Sequence, residues 1–335
     1  MAEVRIAVIG AGIAGLACAH ELARADASVT VFERSRGLGG RLATRRQGDL
    51  AFDHGAQFLT ARSRAFVNYA QLTVRAGVLD AWRPRIIEDG RTHWPAPIED
   101  WWIGTPGMSA LVRPLARNLD IQTGVAVHEL LSGQRGWELQ TDSGRENGVF
   151  RAVAVAVPAP EAQSLLGPHG RSFRHLNEVR MAPCWTGMFA FDPPLDFGVD
   201  VMRWTQGPLV WAASNSSKPG RLQRPQCWVV HASSTWSRER LDVDSQQMAR
   251  QLLAAFTDAV GVALPAPSYA IAHRWRHALV ERPLGMPCLV DEETNAGACG
   301  DWCIAPRVET AYESGRALAH SLLSMVGLSA RVGRR

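Results

Sequence analysis

Three glycines in the first fifteen residues constrain this chain more than anything else in it. Residues 4–9 read Val-Arg-Ile-Ala-Val-Ile, a buried strand, and are followed by Gly10-Ala11-Gly12-Ile13-Ala14-Gly15 and a helical stretch to about Arg24. A second strand over 28–32 ends at Glu33, eighteen positions beyond the last glycine. Strand, glycine-rich turn, helix, strand and a terminal acidic residue make up a dinucleotide-binding unit. Gly10 permits the tight turn, Gly12 lets backbone approach a pyrophosphate, and Gly15 lets the helix pack on the strand. The helix start, with Ile13 and Ala14, offers unpaired amides and the positive end of a dipole to phosphate. Glu33 can accept hydrogen bonds from an adenosine ribose and would repel a 2′-phosphate, which favours FAD or NAD over NADP.

The remaining composition is that of a globular chain of about two domains, with 335 residues, 46% hydrophobic and 20% charged. No apolar run approaches the ~18 residues of a membrane span. The first strand begins at Val4, which leaves no room for a secretory leader, so a cytoplasmic location and no membrane partner are expected. The six cysteines lack both paired spacing and disulfide density, and reduced thiols are expected. Cys299 and Cys303 are four apart with no further ligand types nearby, so no metal is expected. Net charge is +4, and all but one of the 36 basic residues are Arg. Without clustered basic runs this speaks against nucleic acid and mildly for a small anionic ligand.

The segment after Glu33 runs Arg34-Ser35-Arg36-Gly37-Leu38-Gly39-Gly40-Arg41-Leu42, where Gly39 and Gly40 bring backbone close to a ligand and Arg41 can meet phosphate. With the first motif and Glu33, this Gly-Gly-Arg segment resembles the flavin amine oxidase superfamily, which binds FAD. Asp53-His54-Gly55-Ala56-Gln57-Phe58 is similar to the stretch that approaches the flavin in such proteins. Three later segments resemble the renalase-like flavoproteins. They are Gly104-Thr105-Pro106-Gly107-Met108, the polar loop Asn215-Ser216-Ser217-Lys218-Pro219-Gly220-Arg221, and His273-Arg274-Trp275-Arg276-His277-Ala278, the last similar to a segment at their substrate cavity. Gly300-Asp301-Trp302 with Arg307-Val308-Glu309 resembles the C-terminal FAD motif. The resemblance implies that Arg34, Leu42, His54, Gly55, Ala56, Gln57, Val127, Pro158, Gly300, Asp301, Arg307, Val308 and Glu309 join the first glycines around FAD. Related amine oxidases attach flavin through a C-terminal Cys, but the surroundings of Cys303 do not match theirs, and non-covalent FAD is expected.

The resemblance implies an α/β fold: a Rossmann-type FAD-binding domain with an interleaved α+β substrate domain on a mixed β-sheet, as in p-hydroxybenzoate hydroxylase and amine oxidases. The FAD domain is expected over 1–75, 100–165 and 290–328, with strands over 121–131 and 149–157. The substrate domain is expected over 76–99 and 166–289, and 329–335 forms a basic tail.

FAD brings the redox chemistry, so the chain must supply orientation, electrostatics and access. Alternation places His273, Trp275 and His277 on one face of a strand, and the resemblance turns that face to the substrate. Trp302, directly after Asp301, is expected to border the flavin ring. Trp94, Trp101 and Trp102, around Pro95 and Pro97, form either a cavity wall or a packing cluster. Lys218 sits in strong turn chemistry and is read as solvated, although amine oxidases often hold a lysine near flavin N5. The resemblance implies an oxidase that takes a hydride from 2- or 6-dihydro-NAD(P), gives NAD(P)+ and reduces O2 to H2O2. The alternatives are a flavin amine oxidase or desaturase acting on a small amine or apolar substrate and, outside enzymes, a flavin-free carrier of the same fold. The intact glycine set and Glu33 speak against the carrier.

Overall fold

In the computed structural model, residues 3–93, 100–146 and 148–329 are described. Trp94, Pro95 and Pro97 of the expected aromatic wall, and the tail from Arg331, lie outside the described residues. Strand β1 (Arg5–Ile9), helix α1 (Ile13–Arg24) and strand β2 (Ser28–Glu33) form where the glycine pattern places them. They belong to a six-stranded sheet in the order Leu289–Asp291, Ala296–Ala298, Ala152–Val155, β1, β2, Asp120–Thr123. All its pairs are parallel except that between the first two strands.

Both faces of this sheet are buried, as expected of parallel strands. Ile6, Val8, Val29 and Val31 face α1 and the C-terminal helix Val308–Met325. Ala7, Ile9, Phe32 and Val155 face Leu130, Trp137 and Leu139 of an antiparallel meander built from Val127–Gly133, Gly136–Thr141 and Gly144–Arg145. The strand expected over 121–131 is thus two strands in two sheets. Gly124, at φ +74°, breaks the run, because few side chains tolerate that conformation.

The second sheet has seven strands in the order Tyr269–Arg282, Arg180–Phe191, Gln226–Ala232, Leu209–Ser214, Val201–Arg203, Ile86–Glu88, Arg91–His93. It is mixed because Val201–Arg203 pairs parallel with Ile86–Glu88. One face packs Trp185, Phe189, Trp228 and Val230 against helix Ser245–Val260. The other carries Met188, Ala190, Cys227 and Val229 against Phe52 of the hairpin Thr44–Gln47/Leu50–Asp53, which rises from the first sheet's side. A Rossmann-type layer and an interleaved α+β layer on a mixed sheet therefore meet across this hairpin. No helix among the described residues is long and apolar enough to cross a membrane.

Candidate active site

The turn between β1 and α1 is a cradle with one open side. Gly10 holds φ +101°, and a Cβ there would lie 2.6 Å from the Ala156 carbonyl oxygen. A Cβ on Gly15 would lie 1.9 Å from the Gly10 oxygen, so the helix can approach the strand only through glycine. Gly315 plays the same part between the two long helices, since a Cβ there would lie 2.0 Å from the Ala14 oxygen. A Cβ on Gly12, by contrast, meets no heavy atom within 4 Å, which leaves space in front of the helix amides. Gly39 bridges to Gly12, and its amide donates to the Ala11 oxygen at 2.9 Å, bringing the Gly-Gly-Arg segment to the same opening. The Glu33 carboxylate is buried and accepts from the Ala11 and Ser35 amides at 2.8 and 2.7 Å. A cradle of amides with room where a pyrophosphate would lie, and an acid at the second strand's end, suits a dinucleotide.

Around this cradle, Arg41 and Asp301 form a bidentate ion pair at 2.8 and 2.7 Å, while Leu42 is buried beneath. Arg34 reaches Glu161 at 2.9 Å. Val127 opens the meander, and Pro158 precedes helix Ala159–Leu166. Arg307 precedes the C-terminal helix, which Val308 begins. Glu309, expected in the cofactor shell, accepts from the Arg62 amide at 2.8 Å and from the Ser63 amide, fastening the start of helix Arg64–Arg75.

The segment 53–57 docks by its backbone. Ala56 donates to the Arg41 oxygen at 2.9 Å, and a Cβ on Gly55 would lie 2.0 Å from that oxygen. Asp53 is fully buried and its carboxylate is saturated. Oδ1 accepts from Thr44 Oγ1 at 2.7 Å and the Met108 amide at 2.9 Å, and Oδ2 from Arg221 Nη2 at 2.7 Å and Lys218 Nζ at 3.3 Å. Burial raises its pKa, but the Lys218 and Arg221 charges outweigh that and hold it at about 2. Lys218, read from sequence as a solvated turn residue, has a side chain with no exposure at all. Its ammonium also donates to Gln57 Oε1 at 3.2 Å and lies 5.2 Å from the Trp82 ring centroid. Burial lowers its pKa to about 8 despite Asp53.

The mixed sheet presents a row to this segment. His273 is in register with Thr186, Thr186 with His231, and His231 with Trp211, so the four side chains share one face. Opposite stand His54, its ring 4.9 Å from that of His273; Gln57, with Nε2 3.5 Å from His231 Nε2; and Phe58, 5.9 Å from Trp211. Trp275 stacks on His54 at 5.1 Å, and its indole donates to the His54 oxygen at 2.9 Å. Burial brings the imidazole pKa values down to about 4 for His54 and His273 and about 3 for His231. All three are neutral near pH 7.

Two expected residues stand elsewhere. His277 leaves the face of His273 and Trp275, because Trp275 pairs with Cys184 and Leu279 with Ala182, so residues 276–278 bulge opposite Pro183. Proline has no amide proton for the ladder, which favours irregular pairing there. Arg41 donates to the Ala278 oxygen at 3.2 Å, and the charges acting on His277 are Glu161, Arg34, Arg41 and Arg276. His277 therefore lies beside the Gly-Gly-Arg segment. Trp302 is fully buried among Phe32, Trp137 and Phe150, and its indole donates to the Val157 oxygen at 3.0 Å. It is an interior residue of the first layer. Thr186, His231 and Trp211 carry no motif of their own, and only strand pairing brings them to the site.

A sequence model of NAD(P)-binding Rossmann-like domains matches residues 8–71, and that of flavin containing amine oxidoreductases matches residues 97–323, well over half of the chain. The chain belongs to the flavin containing amine oxidoreductase family. It carries a Rossmann FAD-binding domain and an amine-oxidase-like α+β substrate domain. Protoporphyrinogen oxidase 2, chloroplastic/mitochondrial, of Arabidopsis thaliana is 45% identical over 56 residues, 17% of this chain and 11% of that protein. The 4,4'-diapophytoene desaturase (4,4'-diaponeurosporene-forming) of Staphylococcus aureus strain Newman is 42% identical over 52 residues, 16% of this chain and 10% of that one. The matched stretch spans about a tenth of these relatives' length. The crystal structure of a candidate protoporphyrinogen oxidase from Exiguobacterium sp. 255-15 superposes with TM-score 0.74 at 14% identity, covering 96% of this chain and 99% of that one. A redesigned putrescine oxidase follows at TM-score 0.67 and 12% identity, covering 96% and 99%. At these identities the likeness is one of fold.

Proposed function

We propose that this amine oxidoreductase is an FAD-dependent oxidase whose substrate lodges beside the place where residues 54–58 pack on the row His273, Thr186, His231, Trp211. The observation that carries this reading is the convergence of that neutral, aromatic-rich row on the segment that docks against the glycine cradle. We assign the cradle, Glu33 and Arg41 to non-covalent FAD. Cys303 is buried, and burial pushes its thiol up to about 12, which speaks against a thioether link. Bound FAD would supply the hydride acceptor and pass the electrons to O2, giving H2O2. The chain's part is to stack a flat donor and exclude water, so orientation carries most of the rate.

The comparisons speak for a small amine or an apolar substrate better than for a reduced nicotinamide. A desaturase and a putrescine oxidase are among the similar proteins, and the buried Lys218 next to Gln57 removes an objection that the sequence raised to amine chemistry. One observation favours 2- or 6-dihydro-NAD(P), the renalase-like reading, and keeps it beside the first. The charges acting on His273 in the row are those of Arg45 and Arg274, with no acid among them. Such charges attract a phosphate-bearing donor and repel an alkylammonium.

The deciding experiment is anaerobic mixing of the yellow holoenzyme with 2-dihydro-, 6-dihydro- and 4-dihydro-NAD and with an amine panel, following flavin bleaching. Bleaching by the 2- or 6-dihydro isomers supports the nicotinamide reading, and bleaching by an amine alone removes it. A colourless protein that takes up no FAD would sink the oxidase reading altogether.

A further inference from the structure

Six indoles of this chain have found partners. Trp82 donates to Ser217 Oγ, Trp137 to the Thr294 oxygen, Trp185 to the Arg240 oxygen, Trp228 to Gln226, Trp275 to the His54 oxygen and Trp302 to the Val157 oxygen. Trp211 Nε1 has none, although the residue is only 9% exposed. A buried donor left unpaired is costly, so an orphan on a functional face asks for a ligand. Of the other orphans, His54 Nδ1 lies on the segment that packs on the row, Thr105 Oγ1 and Arg221 Nε lie around the saturated Asp53 cluster, and Gln163 Oε1 sits on helix Ala159–Leu166, away from the row.

Trp211 continues the row, in register with His231 on one side and Arg203 on the other, and lies 5.9 Å from both Phe58 and Trp101, which stack on each other at 3.7 Å. Its surroundings therefore combine a flat aromatic stack with the polar neighbours His231 and Arg203, and its own N–H is a directed donor without a partner. An indole N–H only donates, so its partner must carry a lone pair. An ammonium has none, and a hydrocarbon offers no acceptor.

We propose that Trp211 Nε1 donates a hydrogen bond to a carbonyl oxygen of the substrate and thereby selects a flat ring bearing a carboxamide or keto group. The proposal rests on the reading of the row as the substrate wall, and it narrows the substrate class within that reading. Removing the donor while keeping a ring should abolish the preference for the carbonyl and leave ring stacking in place.

The test compares wild-type holoenzyme with Trp211→Phe, using nicotinamide, benzamide and 3-methylpyridine as non-reacting probes and the perturbed flavin absorbance as the binding readout. Wild type should bind nicotinamide about 10-fold more tightly than 3-methylpyridine, the size of one net hydrogen bond, and the variant should bind the two alike. A preference that survives in the variant, or none in wild type, overturns the proposal. Should Trp211→Phe fail to fold, Trp211→Met fills the slot without a donor and carries the same expectation. The two readings fail separately. Unchanged dihydronicotinamide oxidation and unchanged probe preference in the variant leave the oxidase reading standing and remove the donor. Donor-dependent binding of nicotinamide and benzamide, with flavin bleached only by an amine, keeps the donor and removes the nicotinamide as substrate.

Discussion

Gly12 separates ligand from fold at the scale of a single residue. A side chain there points into open space, whereas one on Gly10, Gly15 or Gly55 strikes backbone. Gly12→Val should therefore fold with a native circular dichroism spectrum and purify largely free of FAD, and normal flavin stoichiometry in that variant would place the phosphate site elsewhere. These glycines are legible in the sequence because their constraint is local, set by a turn and the helix that follows it. Lys218 is the opposite case. Its turn chemistry is read correctly, and Asn215–Ser217 does form a tight helical turn. The direction of its side chain is decided by Asp53, 165 residues away in sequence, and no local pattern carries that.

Elements show the same divide between local and distant causes. The strand-like run from His273 to His277 is clear from its alternation and lies within the strand Tyr269–Arg282, but the bulge that removes His277 from the face of His273 depends on Pro183 in a partner strand. Trp302 follows a motif residue and still folds inward. Gly300 permits that, since a Cβ there would lie 2.4 Å from the indole nitrogen. Trp302→Ala should accordingly destabilise the fold by about 3–5 kcal/mol, the scale of emptying a large aromatic site. Urea unfolding measures this, and a loss below about 1 kcal/mol together with slowed flavin reduction would return Trp302 to the cavity. The mixed sheet itself, with Val201–Arg203 parallel to Ile86–Glu88, rests on a pairing over more than a hundred residues and leaves no trace in periodicity.

For the whole molecule, the buried imidazoles make stability depend on acid. His54, His231 and His273 have folded pKa values of about 4, 3 and 4 against an ordinary 6.5. Below pH 6.5 the unfolded chain takes up protons that the folded chain refuses until about pH 4, so unfolding free energy falls as pH drops through that window. The slope should approach three protons, each worth about 1.4 kcal/mol per pH unit. Asp53 extends the loss from its ordinary 3.8 down to about 2, where its ion pairs finally protonate away. Urea titrations at pH 4.5 to 7 check this, and a midpoint independent of pH would show that the imidazoles titrate as they do in water. The buried clasp at Asp53 has another consequence, for labelling chemistry. Because the chain's single lysine lies sealed inside it, an amine-reactive ester offered to the folded protein should find only the α-amino group. A second adduct by mass spectrometry then counts the molecules that have opened throughout, which makes Lys218 an internal clock of global unfolding.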